Sequence, residues 1–256
     1  MTDDRMIANA RRVALATVPE LRNEPFYVLS HAELAEAGLH DSDNDVAGFT
    51  SRHRLDLICR DYLESQGRWE GEGLAVVVTP DRIRRSLHDD MGLQRRVTGA
   101  TLHEVGHAIE IREREGRVEP SEPRQPKVET VVDYNGLVDN EVITPGRIGR
   151  MPGAIWTHAH RFIRLAVHLH HRCCRIGGEI PQPADVCFAN TYPGLERMSS
   201  PGAYIDTLWG ECVSDFDTPI VEVVSQEPPQ GFMDLWWRDF NHLKDLVFAE
   251  RDRQSA

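Results

Sequence analysis

The chain has 256 residues, enough for one large domain that buries its own core without staples. With 29 Lys and Arg against 41 Asp and Glu its formal net charge is −12, which excludes a general nucleic-acid binder and argues against an anionic membrane surface as partner. Hydrophobic residues at 40% and charged residues at 27% are the mix of a globular chain rather than a disordered one.

The opening Met1-Thr2-Asp3-Asp4-Arg5 is charged, and Ala8 to Val18 is interrupted by Asn9, Arg11 and Arg12, so no signal-peptide core is expected. The longest apolar run, Leu74 to Val78, is strand length, far short of the roughly 18 residues of a spanning helix. The five cysteines, Cys59, Cys173, Cys174, Cys187 and Cys212, form no CxxC pair. Reduced thiols and a cytoplasmic location are the expectation.

Asp3 to Ala16 reads as a helix that ends before Pro19, and Phe26 to Leu29 as a short strand. Ser30 followed by Glu33 is a capping box for a short helix closed by Gly38. Asp41 to Asp45 is a polar loop, and Ser51 to Ser65 has Leu55, Ile58, Cys59 and Tyr62 at helical spacing. Leu74 to Thr79, β-branched and bounded by Gly73 and Pro80, is the clearest strand of the chain. Helices are expected over Asp81 to Met91 and over Gln94 to Glu115, the latter ending at Gly116.

Pro120, Pro123 and Pro126 mark a proline-rich loop at 117–127, followed by a strand candidate at Val128 to Val132 and a Gly/Pro loop from Thr144 to Gly153. A long helix covers Ala154 to Ile176 and stops at Gly177-Gly178. Gly178 to Ser199 reads as irregular, Ser200-Pro201 starts a helix reaching about Phe216, and Gly231 to Arg251 forms the last helix. With no repeat and no internal boundary, residues 1–256 read as a single domain, α+β and mostly helical, with a small sheet.

His103-Glu104-Val105-Gly106-His107 is the motif with chemistry in it. His103 and His107 are four apart, so a helix places both on one face, where they can share a tetrahedral zinc. Glu104 lies about 100° round the helix, near enough to take a proton from a water in the open position. Imidazole ligands suit zinc better than magnesium or calcium. Histidines at this spacing also occur on ordinary helices, but here Leu102, Val105 and Ile109 form a separate apolar side. The clearest strand also precedes the motif, as a substrate-binding edge strand would.

This segment resembles the zincin metallopeptidases. Their metzincin extension is absent, since Glu110 and Glu113 stand where Gly and His would be. Glu211-Cys212-Val213-Ser214-Asp215 is similar to the ExxSD segment of thermolysin-like gluzincins, although residues 108–210 separate it from the first motif. The resemblance implies a zincin-like domain with its small sheet beside the HExxH helix. It also implies a zinc cofactor on His103, His107 and Glu211, Glu104 as general base, and a peptide or protein substrate. Glu211 and Asp215, i and i+4, share a helix face, so Asp215 can accept the second N–H of a ligand histidine.

Other third ligands stay open. Asp133, Asp139 and especially Glu141 follow the motif more closely, and one of His160, His168 and His171 could enter the cleft, although His158, His160, His168, His170 and His171 read mainly as surface or half-buried. Cys212 is a further thiol candidate, similar to the cysteine ligand of peptide deformylases. Tyr204, Tyr134 and His158 are the candidate oxyanion stabilisers. Two other readings compete with a peptidase: a catalytically inactive zincin-fold metal-binding regulatory protein, and a zinc hydrolase of a non-peptide amide.

Overall fold

Local chemistry sets most element boundaries in the computed structural model, which describes residues 2–38, 48–50, 55–85, 90–115, 160–178, 180–188, 203, 207, 218–226, 228–235 and 237–239. Helix α1 (Asp3–Thr17) carries Asp3 and Asp4 in its first turn, where the helix dipole favours acids, and buries Met6, Ile7, Ala10 and Ala14. A 3-10 turn (Pro19–Asn23) leads into strand β1 (Phe26–Ser30). The expected capping box starts α2 (His31–Glu36): Glu33 N–H donates to Ser30 Oγ at 3.1 Å and Ser30 N–H to Glu33 Oε2 at 2.6 Å.

After β2 (Gly48–Thr50), the helix expected to run to Ser65 appears as α3 (Leu55–Ile58) and α4 (Arg60–Ser65). Cys59 joins them with ψ near 9°, yet its N–H still donates to Leu55 O and its carbonyl accepts from Leu63 N–H. Strand β3 (Leu74–Val78) and α5 (Pro80–Arg85) precede α6 (Asp90–Glu115), which begins four residues before Gln94 and takes Asp90 and Met91 from the helix expected at 81–91. Helix α7 (His160–Ile176) ends at Gly177 and Gly178, whose φ angles of 77° and 93° lie in the left-handed region that glycine tolerates.

Two short helices correct the sequence reading: α8 (Pro183–Phe188), inside a stretch read as irregular, and α9 (Ile220–Ser225). Pro183 reads as a breaker but occupies a first helical position, where no N–H is required. Six residues are also too few for periodicity to reveal. Ala203 and Thr207 are helical, as are residues 230–235 and 237–239. The expected loops at 41–45, 117–127 and 144–153 and the strand at 128–132 lie outside the described residues.

The sheet is three-stranded with order β1-β3-β2, β3 pairing parallel to β1 and antiparallel to β2. Among the described strands β3 is therefore central, not the edge strand expected of it. Its apolar run already signals burial on both faces rather than alternation. Tyr27, Leu29, Ala75 and Val77 on one side join Leu34, Leu55, Cys59 and Leu63 in a core cluster. Alternate residues, Phe26, Val28, Val76 and Val78, are buried on the other side. Each such large side chain stabilises the fold by about 1.5–3 kcal/mol. The protein is thus α+β and mostly helical, with α6 packed on β2 and β3. Among the described residues no helix is long and apolar enough to cross a membrane.

The chain forms two compact units, Met1–Glu115 with Ala166–Thr191, and Gly116–Leu165 with Tyr192–Ala256. In the second, Arg164 donates to the Gln226 carbonyl and to its Oε1, both at 2.8 Å. In the first, Gly73 sits where the chain enters β3. Its N–H donates to Asp56 Oδ2 at 2.9 Å, and a Cβ there would lie 1.9 Å from the Pro25 carbonyl oxygen. Gly73→Ala is therefore expected to destabilise the protein by about 3 kcal/mol, measured as a lowered urea midpoint, because the obstructing Pro25 carbonyl is main chain and cannot swing aside.

Candidate metal centre

Helix α6 is enclosed: α1, α5, α8, β2 and β3 all pack on it, and every residue from Val97 to Gly106 is buried. Leu102, Val105 and Ile109 supply the expected apolar side. Polar groups in such a helix are costly unless bonded. Within the first unit Thr101 Oγ1 donates to Val97 O at 2.8 Å, and Gln94 Nε2 donates to Met6 O at 3.3 Å and to Thr98 Oγ1 at 3.2 Å. The other buried polar side chains of the helix are His103 and Glu104 of the motif, and Glu110.

His103 is 3% exposed, and its Nδ1 lies 2.8 Å from the Val186 carbonyl of α8. A carbonyl only accepts, so Nδ1 carries the proton. Burial holds the imidazole neutral, its pKa lowered to about 4 despite the opposing effect of the Val186 hydrogen bond. Nε2 therefore presents a lone pair. His107 Nε2 stands 3.2 Å from it, with the rings edge to face at 83°. With His103 Nε2 as acceptor, His107 Nε2–H is the donor across this gap.

The separation itself tests the fit for zinc. Two nitrogens at 2.0–2.1 Å from one tetrahedral zinc stand about 3.3–3.4 Å apart. Ligand histidines also commonly donate their second N–H to a carbonyl or carboxylate, as His103 does. Glu104 is 4% exposed beside His103, while His107 is half-buried. Glu110 is buried at i+3 from His107, on the stripe of both histidines. In sequence it figures only as the residue that breaks the metzincin pattern.

Among the described residues, no three His, Cys, Asp or Glu side chains are grouped to hold a metal. Glu211, Asp215, Tyr204, Tyr134, His158, Asp133, Asp139, Glu141 and Cys212 lie outside those residues, as does the side chain of His160. Two of the described histidines of α7 correct the surface or half-buried reading, and a third agrees with it. His168 and His170 are buried, His171 is half-buried, and His170 Nε2–H donates to the Pro181 carbonyl at 3.0 Å. Cys59, Cys173 and Cys187 are buried free thiols; burial raises Cys59 and Cys173 to about 11 and Cys187 to about 12, so they stay protonated and inert at neutral pH.

Sequence reasoning missed the Val186 carbonyl, because main-chain acceptors leave no mark in a sequence. It also missed Gly99, four residues before His103, which was visible only as a glycine inside a helix pattern. No family model, curated protein or solved structure matches the chain.

Proposed function

We propose that this chain is a zincin-like, zinc-dependent metallopeptidase, with His103, His107 and Glu211 as ligands and a peptide or protein as substrate. The observation that carries the reading is the pairing of the two Nε2 atoms at 3.2 Å, close to the edge of a zinc tetrahedron, with His103 Nδ1 committed to Val186. The small sheet against α6 and the similarity of Glu211–Asp215 to the gluzincin ExxSD segment support it further.

When bound, zinc lowers the pKa of a water to about 7 and polarises the scissile carbonyl. Glu104 accepts the proton of the attacking water and returns it to the leaving amine. Val186 holds the His103 ring in the ligating tautomer. Asp215 does the same for a ligand histidine, and one of Tyr204, Tyr134 and His158 donates to the developing oxyanion. The buried free thiols Cys59, Cys173 and Cys187 support a cytoplasmic location.

The test is elemental analysis of protein purified without added metal, followed by zinc titration. One zinc per chain is expected, and a chain that neither carries nor takes up zinc overturns the reading. Asp215→Ala is expected to keep the zinc but weaken its affinity about 10–100-fold, measured by competition with a chelator. Unchanged affinity would remove Asp215 from the site.

A further inference from the structure

We infer that Gly99 is a positioning residue for the proposed zinc site: it admits α8 against α6, and that approach delivers the Val186 carbonyl to His103. The inference rests on the metal reading of His103 and His107.

Arg96, Gly99 and His103 are spaced three and four apart and so form one stripe of α6. The segment around α8 meets this stripe at each level. Asp185 Oδ1 lies 3.9 Å from Arg96 Nε. A Cβ on Gly99 would lie 2.4 Å from Asp185 Cβ, 3.2 Å from Pro181 Cβ and 3.4 Å from the Asp185 carbonyl carbon. One residue on, Val186 O reaches His103 Nδ1 at 2.8 Å.

The start of α8 is a closed turn that moves as a body. Gln182 N–H donates to Asp185 Oδ2 at 3.2 Å, Asp185 N–H donates to Gln182 O at 2.9 Å, and Asp185 is 3% exposed. Restoring ordinary contact at a 2.4 Å clash needs a displacement of about 1 Å. The same displacement takes a 2.8 Å hydrogen bond beyond its working range. His103 then loses the acceptor that keeps its proton on Nδ1 and its lone pair on Nε2. A glycine one turn before the first histidine thus selects the ligating nitrogen without touching the metal.

The experiment compares the wild type with Gly99→Ala, Asp185→Gly and the double variant, because removing the Asp185 Cβ removes the clash partner. Two readouts are taken: the His103 tautomer of the metal-free chain, from long-range 15N–1H correlation spectra, and zinc affinity by chelator competition. Gly99→Ala is expected to lose the pure Nδ1–H signature and about 10–100-fold in affinity. The double variant should return to the level of Asp185→Gly alone. A Gly99→Ala chain that folds only when Asp185 is also glycine supports the contact. A folded Gly99→Ala chain with wild-type tautomer and affinity overturns the inference and leaves the metal site standing. So does a double variant that recovers neither property while Asp185→Gly is itself folded. Wild-type protein that takes up no zinc overturns the metal reading, and the tautomer spectra of the metal-free chain then decide the positioning by themselves.

Discussion

Glu104→Gln is expected to retain one zinc per chain and the wild-type fold while losing about 10²–10⁴-fold in peptide hydrolysis. Glutamine has nearly the shape of glutamate, so the enclosed position beside His103, only 4% exposed, accepts it without a cavity. A neutral amide cannot accept a proton from water, so the loss falls on the chemical step. Because Glu104 is not a ligand in the proposed site, metal content stays constant. A casein or peptide-library assay with zinc present, and with 1,10-phenanthroline as control, provides the measurement. Cleavage at the wild-type rate by Glu104→Gln would remove Glu104 as the base. A zinc-loaded wild type that cleaves no peptide would favour the regulatory metal-binding reading, and activity confined to small amides the non-peptide hydrolase.

His103→Ala is expected to abolish zinc binding, because two remaining ligands cannot hold a tetrahedral site. The substitution also acts on the fold. It leaves the Val186 carbonyl without its donor in a buried place, at a cost of about 1–3 kcal/mol, and it opens space inside an enclosed helix. Isothermal titration with zinc on the folded fraction separates the two effects. His107→Ala supplies the comparison: His107 is half-buried, so it should lose the metal with a smaller loss of stability. Zinc binding that survives both substitutions would place the metal elsewhere in the chain.

Elements governed by neighbours in sequence were legible before the structure. Ser30 and Glu33 announced the start of α2, the β-branched run announced β3, and the spacing of Leu102, Val105 and Ile109 announced the buried side of α6. The motif was legible for the same reason, since four residues on a helix are a local relation. What was not legible came from distant segments. The central position of β3 depends on partners at 26–30 and 48–50, and the enclosure of α6 depends on five other elements. The burial of His168 and His170 belongs to packing rather than to composition. The orientation of His103 depends on a main-chain oxygen from a helix too short to show a period.

The first compact unit is written in two instalments, Met1–Glu115 and then Ala166–Thr191, with residues 116–165 translated between them. At roughly 5–20 residues per second, the ribosome delivers Val186 about 4–14 s after Glu115. During that interval α6 already carries both histidines, but the stripe of Arg96, Gly99 and His103 waits for α8. Completion of the proposed metal centre is thereby tied to near-complete synthesis of this unit. A chain synthesised only as far as Glu115 holds the whole HExxH motif without the acceptor that orients its first histidine, so under the proposed zinc reading the order in which the chain is written defers metal capture until α8 is in place.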